Sequence, residues 1–509
     1  MAGVQIHMRL LWWEPMTNYR IIKVVLPVLL LAGCATSEIS AFKEASCLDV
    51  LAQFDQHADD LGIVDAETLP VAGYRFLRAN RNSVMHKKRL DGDDDGVADR
   101  VDLWRDWIAQ MRGLDRETRT SIAARMPDSL DQEAARAEEC ANQLADGLMP
   151  SSFADLSRAV FVPDDYRDFQ RIAGFYPLSA IPAHFGYETW KKDNFPSFHW
   201  SADQLWRAGD WIDYRVMDKD ATDVASIAGR DKGEIPKDAF GQSRPDAIQL
   251  RLLAQKYAPV FRIKTQDSND RVGMPVLPGA GQQADVDVET PVIFYRLSHT
   301  RFDGQWLPQI IYTIWFPSRP AKGMFDILAG HFDGIIWRVT LGADGVPLMH
   351  DSIHACGCYH LFFPSSGLFR IKAPEDGDIR ETAEMPAGYL TAAQVRYPVV
   401  WIDAVSHYVL AITAAGDAGK DRGSVLAALE PERLLTRLPY QDGNGVGSLY
   451  SDSGFVPGTD RAEWIVLWPM GIEKPGAMRQ WGHHATAFVG RRHFDEPGLF
   501  DRYFVPADD

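Results

Sequence analysis

Between His350 and His360 the chain places a polar, metal-capable side chain at every second residue: His350, Ser352, His354, Cys356, Cys358 and His360, within the run HDSIHACGCYH. A period of two belongs to a β-strand, so all six are expected on one face of a sheet. Upstream, His331 and Asp333 repeat that spacing, ahead of the apolar stretch Ile335 to Leu341 and the turn signal Gly342-Ala343-Asp344-Gly345. If Asp344-Gly345 is a two-residue hairpin loop, His331 falls opposite Cys358 and Asp333 opposite Cys356. A four-residue loop pairs His331 with Cys356 and Asp333 with His354, still on one face. A three-residue loop sends the groups to opposite faces, so register decides whether they meet.

Three chemistries suit such a row. Neutral imidazole and thiolate are ligands for zinc or another transition metal. Adjacent same-face groups roughly 6.6 Å apart can share an ion, whereas three on a straight strand span about 13 Å and cannot. Alternatively, Cys356 or Cys358 is a nucleophile, with His331, His354 or His360 as base and Asp333 orienting it. In the third reading the row is structural: small core residues and stacked histidines, with the two sulfurs bonded if Gly357 bends the chain. Six polar groups on one buried face must in any case find partners, because unpaired burial is costly.

The elements that would position these groups change character along the chain. From about residue 40 to 210 the apolar spacing is helical, as in Ala45 to Leu61, Trp104 to Ile108 and Gln132 to Leu148. Beyond about 250, strand-like runs dominate: Pro291 to Arg296 and Leu307 to Phe316 flank Asp303-Gly304, followed by Tyr397 to Ile402 and Trp464 to Trp468. The expected fold class is α+β: a helical domain over 34–217, a linker over 218–247, and a mainly antiparallel β-rich domain over 248–509 with a helical insertion near 404–437.

The N-terminus carries a resemblance. From Met16 a short polar and basic stretch ending in Lys23 precedes the apolar core Val24 to Leu31 and the box Leu31-Ala32-Gly33-Cys34. This layout resembles a bacterial lipoprotein signal peptide, which implies removal of residues 1–33 and acylation of Cys34 by a diacylglyceryl thioether. Ala35, in place of the Asp that retains enteric members at the inner membrane, implies an outer-membrane anchor facing the periplasm. The apolar core falls short of the roughly 20 residues needed to span a bilayer. In an oxidising periplasm Cys47 and Cys140, both in helix-like segments, are free to form a disulfide.

Asp91, Asp93, Asp95, Gly96, Asp99 and Asp102 occupy the oxygen-ligand and turn positions of an EF-hand loop, with Ala98 at its eighth position. This segment resembles dockerin-type calcium loops, which implies a structural Ca2+ site; a solvated acidic turn is the plainer alternative. A further cluster, Arg479 to His484 with Arg491 to Asp495, reads as a basic surface turn able to contact an anion. His184, His199, His299 and His407 are isolated and suggest no function.

Formal net charge is −17. Loss of residues 1–33 removes three basic groups and one acid, leaving 50 basic against 69 acidic, about −19. Such a surface disfavours nucleic acid and anionic headgroups. The sequence has no His-Glu-x-x-His, Gly-x-Ser-x-Gly, phosphate-loop or Gly-x-Gly-x-x-Gly motif. Two functions remain: a metal-assisted hydrolase of an envelope component, and a non-enzymatic envelope lipoprotein binding a protein or glycan partner.

Overall fold

The helical and strand-rich halves of the sequence meet in one curled mixed sheet with helices mainly in the N-terminal part, as an α+β chain should. The computed structural model describes residues 35–92, 100–216, 235–371, 380–416 and 424–507. Helix α1 (Ala35–Asp60) leads into a hairpin of β1 (Leu69–Val71) and β2 (Tyr74–Ala79). Then come α2 (Arg81–Asp91), α3 (Arg100–Ala123), α4 (Asp131–Asp146) and α5 (Phe153–Ala159). Leu51, Phe54, Leu77, Trp107, Met111 and Leu144 recur at helical or strand spacing and pack into one apolar cluster. Asn80 starts α2 by accepting a hydrogen bond from the Ser83 amide. Cys47 and Cys140 form a disulfide with Cα atoms 5.0 Å apart, tying α1 to α4.

Helices α6 (Asp168–Ala173), α7 (Tyr176–Asn194) and α8 (Ala202–Arg207) follow. Next along the chain are β3 (Trp211–Val216), α9 (Ala247–Tyr257), β4 (Val260–Lys264) and the small pair β5 (Met274–Val276) and β6 (Asp285–Asp287). The long strands are β7 (Val292–Phe302), β8 (Gln305–Arg319), β9 (Gly330–Leu341) and β10 (Pro347–His354), followed by β11 (Leu361–Pro364) and β12 (Leu368–Arg370). Helix α10 (Ala392–Arg396), β13 (Pro398–Ile402), β14 (Val409–Ala414) and β15 (Ser424–Pro431) come next. The chain finishes through β16 (Leu438–Pro439), β17 (Val446–Gly447), α11 (Trp464–Leu467), α12 (Leu499–Tyr503) and β18 (Phe504–Pro506).

Ten strands form the main sheet in the order β11-β10-β9-β8-β7-β15-β3-β4-β13-β14. Pairing is antiparallel except where β15 joins β7 and β3 and where β13 joins β4. Ile310 to Phe316 in β8 are all buried, which is why this central strand reads as an unbroken apolar run and not an alternation. Residues Cys47–Asp509 form one compact unit.

Three sequence expectations are corrected. The segment 404–437 was expected as a helical insertion, but it holds β14 and β15, because Val409 to Ile412 and Ala427 to Leu429 extend the sheet. Its alanines favour a helix only while no strand partner is present. Trp464–Leu467 is a short helix with Trp464, Ile465 and Val466 exposed, not a strand. β3, from the part of the chain expected to be helical, is recruited between β15 and β4, since Trp211 and Asp213 face inward at strand spacing. Within the expected linker, residues 235–246 are described and form a turn ending at Asp246, whose side chain caps α9.

Replacing Cys47 and Cys140 by serine should lower unfolding free energy by about 2–4 kcal/mol, as expected for a bridge closing a long loop. Urea unfolding of oxidised wild type and of the double variant measures this. Equal midpoints would mean that the bridge does not form.

Candidate functional site

The strand bearing the His/Cys row ends at its midpoint. β9 and β10 pair with His354 opposite Ile335 and Asp351 opposite Arg338. Extended further, that register would bring Asp333 to Cys356 and His331 to Cys358, the pairing expected for an Asp344-Gly345 turn. The connection is wider, closed by Gly342 N–H to the Val346 carbonyl at 2.8 Å, and a bulge between Pro347 and Met349 restores the register. Beyond His354 the chain doubles back. Gly357 N–H donates to the His354 carbonyl (2.7 Å) and His354 N–H to the Cys358 carbonyl (3.0 Å). β11 must return antiparallel, with Leu361 opposite Ser352, which forces the turn. Gly357 makes it possible at φ +94°, where a Cβ would lie 2.7 Å from the Ala485 carbonyl.

The row is therefore divided. His350 gives its Nε2 to the Val395 carbonyl at 2.8 Å and packs on Trp337. Ser352 is buried on the same face of β10. His360 lies on the other face, with Nε2 2.8 Å from Asp351 Oδ2, while Asp351 also takes Nε of Arg338 at 2.9 Å. Cys356 and Cys358 are unbridged and buried in the apolar cluster containing Ile353, Phe332 and Met478. The hydrogen bond from its neighbour and burial together keep Cys358 a thiol, well above the usual range. His331 stands apart, half-buried, its Nε2 2.7 Å from the Ala284 carbonyl.

Asp333 and His354 do share a face, within a network that only folding assembles. Asp333 Oδ2 lies 2.8 Å from His407 Nδ1, and its Oδ1 lies 3.2 Å from Arg461 and 3.7 Å from His354 Nδ1. His407 stacks on Phe316 and places its Nε2 3.4 Å from Asp270 Oδ1, an ion-pair contact outside hydrogen-bond geometry. Burial opposes both charges. Arg461, His354 and His407 nevertheless hold the Asp333 carboxyl well below its usual range, and Asp270 with Asp333 raises His407. Burial lowers His354, which stays neutral and packs against Tyr359 and Tyr408. Phe332, Tyr359, Val405 and His407, all in this region, adopt φ between 53° and 65°, a conformation that non-glycine residues rarely take. The cavity touching His354 measures about 10 Å3, room for one water and no substrate.

The 479–495 cluster is another correction. Expected as a basic surface turn, it is largely buried, because acids drawn from distant elements neutralise it. Arg81 and His483 meet Asp165, Gln480 meets Asp65, and Arg492 meets Glu381. Arg479 and His484 also bond the carbonyls of Cys356 and Ala355, fixing the cysteine turn. Sequence reading passed over His407, Asp270 and Arg461; each stands alone in the chain, with no spacing to mark it.

For the calcium expectation, Asp91 ends α2 exposed and Asp102 pairs with Arg105 at 2.6 Å, while Asp93, Asp95 and Asp99 lie outside the described residues, as does Cys34. Among the described residues no three His, Cys, Asp or Glu side chains converge as a metal-ligand group, and no helix is long and apolar enough to cross a membrane.

Room for a ligand exists elsewhere. One cleft of about 790 Å3 lies between α2, the start of α7 and residues 489–502. A second, of about 800 Å3, is walled by Asn82, Asp106, Gln110, Glu117, Arg296 and Trp481. There Arg296 is clamped between Glu67 (2.6 Å) and Glu432 (2.9 Å) and lies over the Trp481 ring. Burial alone would raise Glu67, but Arg296 and Arg433 bring it down to about 2. Asn82 Oδ1 and Arg296 Nε are buried with no hydrogen-bond partner among the described residues. No protein-family model, curated protein or solved structure matches the chain.

Two predictions follow from the buried charges. Asp333→Ala leaves His407 and Arg461 facing no carboxylate there and should cost about 3–5 kcal/mol in urea unfolding. Burial pushes His86, His299, His360 and His484 down to about 3 and His350 to about 4. Unfolded, each takes up a proton near pH 6.5, so their contribution is complete above that value and lost as pH falls toward 4. His407 has the opposite sign, its contribution being present below about 6.5 and lost as pH rises through its raised value. The lowered group is the larger, so Tm should fall between pH 7 and pH 5; a level or rising Tm would contradict the assignment.

Proposed function

We propose that this chain is a lipid-anchored protein of the bacterial envelope that binds a glycan, with the His/Cys/Asp centre serving as internal scaffolding. The observation that carries this reading is the contrast between two places. Of the groups expected to react, His354 borders a void of about 10 Å3, Cys356 and Cys358 border another of about 10 Å3, and His360 is buried against Asp351. The cleft at Arg296, by contrast, has about 800 Å3 of space and a wall of carboxylates, amides, guanidiniums and aromatic rings. Sugar hydroxyls both donate and accept hydrogen bonds, so such a wall suits them. The anchor rests on the Leu31-Ala32-Gly33-Cys34 box.

Binding is tested by sedimentation with purified peptidoglycan sacculi and by titration with a soluble fragment of the same glycan. Asn82→Ala removes a side-chain amide from the cleft wall and should weaken binding roughly tenfold, the effect of about 1–3 kcal/mol for one lost hydrogen bond to the ligand. Failure of the wild type to bind either glycan, or equal binding by the variant, defeats the glycan assignment. Anchoring has a separate test: labelled palmitate should enter the wild type and be absent from Cys34→Ser.

A further inference from the structure

Helix α7 is turned the opposite way from an ordinary surface helix. None of its residues is buried. Leu178, Ile181 and Phe185, at spacings of three and four, form an apolar face that points outward, 51% to 68% exposed. The face toward the body is aromatic and polar. Trp190 packs on Tyr359 and Tyr408, Lys191 pairs with Glu384, and the Tyr176 hydroxyl donates to the Phe488 carbonyl.

The preceding helix continues this surface. Phe169 and Ile172 of α6 and Phe175 in the turn between the helices are 72% to 78% exposed. Phe175 takes φ 50° to make that turn. Gly174 packs so closely on Pro469 that no side chain would fit there, and Arg171 bonds the Met470 carbonyl. α11 runs directly into that Trp468–Met470 turn and exposes Trp464, Ile465 and Val466. The result is an apolar surface built from three helices, with no charged residue among the nine side chains named. An exposed apolar surface of this extent marks an interaction site.

We propose that the α6–α7–α11 face inserts into the interfacial layer of a bilayer of zwitterionic lipid. Charge decides among occupants. From residue 34 onward the chain carries about −19 (50 basic against 69 acidic) and repels a second copy of itself and an anionic headgroup alike, leaving a neutral apolar medium as the favourable partner. Several nearby cations are already engaged: Arg167 pairs with Glu473, Lys191 with Glu188 and Glu384, and Arg171 donates to the Met470 and Gly490 carbonyls. Insertion is therefore driven by area, not by counterions, in the manner of an interfacial amphipathic helix. Proximity to the bilayer rests on the lipid-anchor reading above. From an acylated Cys34 to Cys47 there are 13 residues, which along helix α1 span roughly 20 Å.

The test uses unacylated protein beginning at residue 34 with Cys34→Ser, mixed with phosphatidylcholine vesicles and floated at low and high salt. Wild-type side chains on this face should carry the protein to the vesicle layer at both salts. Phe169→Ser, Ile172→Ser and Phe185→Ser together should reduce the floated fraction at least tenfold with unchanged Tm, since all three are exposed. Four results would overturn the proposal: no flotation, flotation only with anionic vesicles and reversed by salt, equal flotation of the variant, or a concentration-dependent dimer that the variant loses. Because no acyl chain is present, failure here leaves the palmitate test of the anchor untouched.

Discussion

A carboxylate with no solvent exposure organises the centre of this molecule. Asp333 stays ionised because Arg461 and His407 approach it from separate loops, and the His407 loop passes through conformations, at Val405 and His407, that cost on the order of 1–3 kcal/mol each. Val405 is the clearest case, since a β-branched residue at φ 65° is a genuine outlier. Asp270 reinforces the arrangement by accepting from the amide of that same Val405 at 2.6 Å while facing His407. Ion pairing and backbone strain thus support each other. The charges need the loops to shut out water, and the loops keep their rare backbone geometry because the charges require it.

The same hairpin carries a second buried ion pair on its other face, where Asp351 joins Arg338 and His360. Both faces of β10 are therefore polar as well as buried, an unusual condition satisfied only because every charge finds a partner. This is why a row of histidines at strand spacing resembled a reactive surface. A catalytic row and a row of paired structural ions use the same residue types. What distinguishes them is access, and here the aromatic rings of Trp190, Tyr359 and Tyr408 close off the His354 side.

Once the interior is closed, interactions with other molecules belong to the outside. The Arg296 cleft and the apolar face of α6, α7 and α11 are unlike in chemistry, one polar and one free of charge among its named side chains, so they suit different partners. α7 connects this outer face to the interior, presenting Phe185 to the outside while its Trp190 covers the Asp333 network.

Local pattern was enough to specify much of this. The helical-then-strand order, the apolar run of β8 and the Cys47–Cys140 bridge were legible, because periodicity acts over a few residues, whereas the hairpin register that puts Asp333 and His354 on one face was one of three the turn allowed. Even so, α-prone alanines became β14 and β15 when sheet edges were offered, and Trp464–Leu467 coiled instead of extending. The partners of Asp333 include residues 407 and 461, with Asp270 on the far side of His407, and the acids that bury the 479–495 cluster come from residues 65, 165 and 381. Pairings across such separations leave no trace in spacing. They depend on which loops the sheet order brings together, and that is decided only when the whole chain packs.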